Sequence, residues 1–154
     1  MTQWLKSVTI MMLLTTSIAL AAGSETTTTS APESMSSYDE AVTLIENSNY
    51  QEAADILLVL AEDEPENADV FNWLGYSHRK MEAYDVALEY YMTALELEPM
   101  HLGANSYLGE LYVETGQMEK AQAQLDILAE AEACGGTCDE YNDLLTFIET
   151  GSSW

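Results

Sequence analysis

The sequence predicts an all-α fold: an α-solenoid of three helix–turn–helix units closed by a C-terminal capping helix. Three observations carry this expectation. First, Ala53, Ala87 and Ala121 stand 34 residues apart, as do Tyr50, Tyr84 and Met118, and Leu57, Tyr91 and Leu125. Pro65 and Pro99 keep the same interval, and so do Leu74-Gly75 and Leu108-Gly109. A period this long means one supersecondary unit stacked several times. Second, apolar residues within each unit recur at helical spacing. Third, Tyr141, Leu144, Leu145 and Ile148 form one further stripe at i, i+3, i+4 and i+7 after the last unit.

Residues 1–21 read as an export signal. Lys6 gives a minimal positive region, 8–21 is the apolar stretch, and Ala19-Leu20-Ala21 supplies the small-x-small cleavage pattern, with the cut after Ala21. The stretch contains Thr and Ser and falls short of the roughly 20 apolar residues of a spanning helix. A periplasmic or secreted protein with no stable membrane anchor is therefore expected; the alternative is an inner-membrane tether left by an uncleaved signal. Residues 22–33 are rich in Thr and Ser, without periodicity, and read as a flexible spacer.

The first unit is expected over 34–67. Ser37-Tyr38-Asp39-Glu40 has the spacing of a capping box. Ala41, Leu44 and Ile45 line one helix, and Ala53, Ile56, Leu57 and Leu60 the next, with Asn47-Ser48-Asn49 as the turn between them. Pro65 closes the unit, because Pro disfavours helix in the residue before it. The second unit, 68–101, repeats this grammar with helices expected at 68–80 and 84–97. The third, 102–135, turns at Glu114-Thr115-Gly116-Gln117, and its second helix is expected over 118–133, ended by Gly135-Gly136. Residues 136–154 form the capping helix and tail, opened by a second capping-box spacing at Thr137-Cys138-Asp139-Glu140. A helix there covers the exposed end of the stack, which repeat folds need for solubility.

Composition narrows the partners. The chain carries 27 acidic side chains against 4 Lys and Arg, a net charge of -23. Nucleic acids draw affinity from cations neutralising phosphates, and anionic membranes do the same, so both are excluded as partners. Cationic partners or a saline habitat fit, as does a solvated acidic shell that maintains solubility.

The second unit carries a recognisable pattern: Phe71, Leu74-Gly75, Tyr84, Ala87, Tyr91, Ala94 and Pro99. It resembles the tetratricopeptide repeat, which has an aromatic, Leu-Gly, an Ala, an aromatic, an Ala and a Pro at the spacing of Phe71, Leu74-Gly75, Ala87, Tyr91, Ala94 and Pro99. The third unit fits with Leu108-Gly109, Tyr112, Gly116, Ala121, Leu125 and Leu128. The first is weaker, since Glu40-Ala41 stands where Leu-Gly is expected; in the second unit His78 stands where the family usually has Tyr, and in the third Ala133 where it has Pro. The resemblance implies close helix approach at Gly75, Ala87, Gly109 and Ala121. It implies that Phe71, Tyr84, Tyr91 and Tyr112 fill the spaces between adjacent pairs, with His78 in a packing position.

The same resemblance implies a partner-binding inner face, formed by the first helix of each unit. Mapped residue by residue, that face holds Tyr38, Val42, Asn72, Trp73, Tyr76, Arg79, Ser106, Tyr107 and Glu110. Trp73, Tyr76 and Tyr107 are outside the family's packing positions. That makes them candidates for ligand contact, because aromatics and Arg dominate binding hot spots; the plainer alternative is that they pack on the spacer or a neighbouring helix. Family members that hold chaperone tails use Lys, Asn and Arg here, whereas this chain offers only Asn72 and Arg79. The expected partner is a protein or extended peptide with apolar or basic side chains.

Cys134-Gly-Gly-Thr-Cys138 is the other distinctive element. An oxidising compartment favours a bond between these two cysteines, joining the last helix to the third unit. So short a loop gives at most ~2 kcal/mol by chain entropy. The alternative is a thiol–disulfide redox protein, with Cys138 activated near a helix N-terminus. A structural zinc needs four ligands, and His78 and His101 are remote in sequence. No Ser-His-Asp, Cys-His or phosphate-loop arrangement appears, and no cofactor is implied. The expected function is that of an exported binding adaptor or assembly factor without catalysis. A self-associating structural module is a further alternative.

Overall fold

A computed structural model of the protein describes residues 36–136 and 138–151. Seven α-helices follow in chain order: α1 (Ser37–Glu46), α2 (Tyr50–Asp63), α3 (Ala68–Lys80), α4 (Tyr84–Leu97), α5 (Leu102–Glu114), α6 (Met118–Glu130) and α7 (Asp139–Thr150). Successive helices pack as antiparallel pairs, α1 with α2, α3 with α4 and α5 with α6, and each pair stacks on the next. The last helix, α7, lies against α5 and α6 and closes the stack. This is the all-α solenoid with a final capping helix that the period predicts. The export signal and the spacer expected over 1–33 lie outside the described residues.

The first helix of every pair has a side-chain cap. Ser36 Oγ accepts from the Asp39 N–H at 3.1 Å, Asn67 Oδ1 from the Asp69 N–H at 3.1 Å, and His101 Nδ1 from the Ala104 N–H at 3.1 Å. Such caps satisfy helix-end donors that otherwise have no partner. The first cap sits one residue before the expected box: Ser36 is the N-cap and Ser37 already lies in the helix. Asp39 then occupies the third helical position and accepts from the Ser36 hydroxyl at 2.7 Å.

Every pair turns on one residue in the left-handed region, and these residues keep the 34-residue interval. Ser48 and Glu82 have φ of 62° and Gly116 has φ of 73°. Only the third unit uses glycine, the residue that adopts this conformation without a Cβ penalty.

Close approach supplies the core. A methyl group added at Gly75 would lie 2.6 Å from the ring of Tyr91, which is fully buried. One added at Gly109 would lie 2.5 Å from a methyl of Leu144 in α7. These two positions therefore set the spacing of α3 on α4 and of α5 on α7. Ala53, Ala87 and Ala121 are all fully buried, which explains their recurrence. His78 is half-buried and stacks on Tyr90 with ring centroids 5.3 Å apart. Burial lowers its pKa below the ordinary histidine value.

The chain departs from expectation where α6 ends. The helix stops at Glu130 rather than near 133, and Ala131 turns the chain out with ψ of 122°. A short 3₁₀ turn, Glu132–Cys134, follows. The two glycines end that turn instead of α6, with φ of 59° at Gly135 and 87° at Gly136. They bring Cys134 and Cys138 into a disulfide with Cα atoms 4.7 Å apart. The capping box expected at Thr137–Glu140 begins on Thr137, outside the described residues. Among the described residues Cys138 is the N-cap of α7 and gives no side-chain cap bond, its sulfur being bonded to Cys134.

Candidate functional site

The first helices α1, α3 and α5 bring four aromatic side chains together. Trp73 and Tyr76 of α3 meet edge-on with centroids 5.5 Å apart. Tyr107 of α5 lies 4.8 Å from Tyr76 and 6.1 Å from Trp73. Tyr38 of α1 joins them through its hydroxyl, which accepts the Trp73 indole N–H at 2.9 Å. The spacing explains the cluster. Trp73 and Tyr76 are three apart on one helix face, and Tyr107 is Trp73 shifted by 34 residues. All four are half-buried, so ring area stays open to a ligand while their positions are fixed by one another. Tyr50, at the start of α2, extends the cluster with its ring 6.2 Å from Tyr76.

Three of the residues mapped to this face point inward. Arg79 and Glu110 are 3% and 4% exposed, and Asn72 is 3% exposed. Arg79 Nη2 donates to Glu110 at 2.7 Å and Nη1 to Glu114 at 2.8 Å. The Arg79 guanidinium also lies 5.4 Å from the Tyr76 ring centroid and 5.9 Å from that of Tyr107. Its charge is thus consumed beneath the aromatic layer, where it holds the second unit to the third. Burial opposes that charge, but Tyr91, Glu110 and Glu114 outweigh it and raise the Arg79 pKa. Burial pushes the Glu110 carboxyl above the ordinary carboxylate range although Arg79 pulls the other way. Burial likewise pushes the Tyr107 hydroxyl up to about 12, so it stays a neutral donor at physiological pH.

Of the remaining mapped residues, Val42 is half-buried. Ser106 is buried and donates to the Glu140 carbonyl at 3.0 Å, tying α5 to α7. Two participants, Glu114 and His101, are not marked by the sequence pattern. Glu114 falls at the expected turn, yet it lies four residues after Glu110 and so shares its helix face. His101 has no side-chain partner near it in sequence. It caps α5 through Nδ1, which leaves the proton on Nε2, and Nε2 reaches Asp69 of α3 at 3.0 Å.

Among the described residues no group of three or more His, Cys, Asp or Glu is placed to hold a metal. Among them no helix is long and apolar enough to cross a membrane. Cys134 is 7% exposed, and its Sγ accepts the Cys138 N–H at 3.2 Å.

Helix pairs stacked at a 34-residue interval, closed by a final helix, define an α-solenoid repeat protein. Two family profiles, each described as tetratricopeptide repeat, match residues 38–91 and 78–134. The chain belongs to the tetratricopeptide-repeat proteins. Among solved structures it is similar to the type III secretion translocator chaperone SycD of Yersinia enterocolitica, in two crystal structures. One, described as an alternative dimer, is 18% identical with a TM-score of 0.62, covering 74% of this chain and 84% of that one. The other is also 18% identical with a TM-score of 0.62, covering 75% of this chain and 77% of that one. At this identity the likeness shows a shared fold. Curated protein sequences give no match.

Proposed function

We propose that this protein is an exported, non-catalytic adaptor that holds an extended segment of a partner protein along its inner face. The observation that carries this reading is the half-buried ring layer of Tyr38, Trp73, Tyr76 and Tyr107, fixed on three first helices. Aromatic side chains with open area and restrained rotamers provide contact surface at low entropic cost. A net charge of -23 repels acidic segments and draws cationic ones. The segment that fits therefore carries apolar side chains for the rings and Lys or Arg to either side of them. Arg79 and Glu110 act beneath this layer as positioning residues. The fold shared with a translocator chaperone supports a holding role. Export rests on the signal-like residues 1–21, and a disulfide suits an oxidising compartment.

The test is capture from an envelope extract by the tagged protein, with Trp73→Ala/Tyr107→Ala as the comparison. Loss of the captured partner, with far-ultraviolet helicity retained, is the expected result. Equal capture by the variant removes the inner face as the site.

A further inference from the structure

A second surface, separate from the aromatic face, lies at the opposite end of the stack from α7. A groove of about 360 Å³ runs over α1 and α2, lined by Ser37, Glu40, Asp55, Ile56, Val59 and Asp63 among others. Val59 is 60% exposed, more than any other large apolar residue described. The repeat itself says what belongs there. Ser37, Glu40, Ile56 and Val59 stand 68 residues, two periods, before Asn105, Leu108, Gln124 and Ile127. Those four line the equivalent groove over α5 and α6, which α4 walls with Met92, Leu95 and Glu96. The groove over α1 and α2 is thus the seat of a preceding second helix, and among the described residues no helix occupies it.

The chemistry of the seat differs in one respect. Its floor carries Glu40 where the later units have Leu74 and Leu108, which are 0% and 1% exposed. Asp55 and Asp63 flank it, and no Lys or Arg lines it. An occupant must bring apolar side chains to Ile56 and Val59 and cations to the three carboxylates. The chain's own helices fit poorly, since Arg79, Lys80 and Lys120 are its only cations beyond Lys6 and Arg79 is buried. A second copy would also set acid against acid, which disfavours association.

We propose that the groove over α1 and α2 seats a cationic amphipathic helix of a partner protein, in the position that α4 takes against α5 and α6. Glu40 then has two uses: it keeps the end of the stack soluble when free and pairs with the helix when bound. With the inner face also occupied, the protein would bridge two partners.

The test titrates the full chain with a fluorescent peptide whose Leu residues fall at i, i+3, i+4 and i+7 and whose other positions are mostly Lys. Saturable, salt-sensitive binding is expected. It should weaken by about tenfold or more in Asp55→Lys/Val59→Lys, since like charges juxtaposed at an interface suppress pairing. Both sites are exposed in the free protein, so folding is spared, and circular dichroism checks this. Trp73→Ala/Tyr107→Ala removes any share of the peptide held on the inner face and should retain the saturable binding to the groove. No binding to the full chain overturns the proposal. So does equal binding by Asp55→Lys/Val59→Lys, or loss confined to Trp73→Ala/Tyr107→Ala, which places the peptide on the inner face. A dimer in solution that Val59→Lys dissociates shows a second copy in the groove and overturns it as well.

Discussion

Arg79 of α3 reaches Glu110 of α5 at 2.7 Å, and both are almost completely shielded from water. The pair crosses the junction between the second and third units, directly under the ring layer. Removing one partner of a buried pair leaves the other charge uncompensated, which costs about 3–5 kcal/mol. Arg79→Met should therefore destabilise the protein by that order at neutral pH, read by urea denaturation.

The same variant should lose less stability in acid. Burial already raises the Glu110 carboxyl, and losing Arg79 raises it further. An acid whose folded pKa lies above its unfolded value binds its proton more tightly in the folded state. The penalty is then absent below the unfolded carboxylate pKa and grows as pH rises through the folded one. The gap between wild type and Arg79→Met should shrink as pH falls from 7 toward 4. A gap independent of pH would mean that the loss is one of packing alone.

Gly109 has no room for a side chain, because a methyl group there meets both methyls of Leu144 within 2.6 Å. Overpacking of this kind costs about 1–3 kcal/mol. Gly109→Ala should lower the melting temperature and raise amide exchange in α7 more than in α1 or α2. Uniform exchange would show that α7 is not a locally docked element.

Glu82 holds φ of 62° in a turn whose counterpart in the third unit is Gly116. A side chain in this region costs about 1–2 kcal/mol, partly offset by the larger unfolded-state entropy of glycine. Glu82→Gly should stabilise the protein by up to about 1 kcal/mol and also removes one acid. Glu82→Ala separates the two effects: it removes the charge, keeps the Cβ, and should give less than half the gain.

With 27 acidic groups and 4 cations, repulsion between surface carboxylates opposes compactness. Salt screens such repulsion over about 10 Å at 0.1 M. The melting temperature should rise as sodium chloride is raised from low concentration. A flat response would show that the acids are spaced beyond each other's influence.

Much of this fold is legible in the sequence because turn residues punctuate it. The spans of α3 and α4 match the expected 68–80 and 84–97, since Pro65, Asn67 and Pro99 mark their ends. The end of α6 is not legible. Ala131-Glu132-Ala133 favours helix locally, yet the chain leaves α6 at Ala131 and passes through a 3₁₀ turn to the bonded Cys134. The ring cluster follows from spacing, as Trp73 and Tyr107 share a repeat position. That Arg79 and Glu110 lie below the rings does not follow, because it depends on Glu114 completing the pair from one helical turn away. Nor is the role of His101 legible, since its partner, Asp69, belongs to the preceding unit.

The most direct measurement is amide and side-chain chemical-shift mapping of the labelled protein as a captured partner segment is added. Shifts should be largest at Tyr38, Trp73, Tyr76 and Tyr107, and small on the outer faces of α4 and α6. Shifts confined to those outer faces, with the four aromatic residues unchanged, would contradict the inner face as the seat of an extended partner segment.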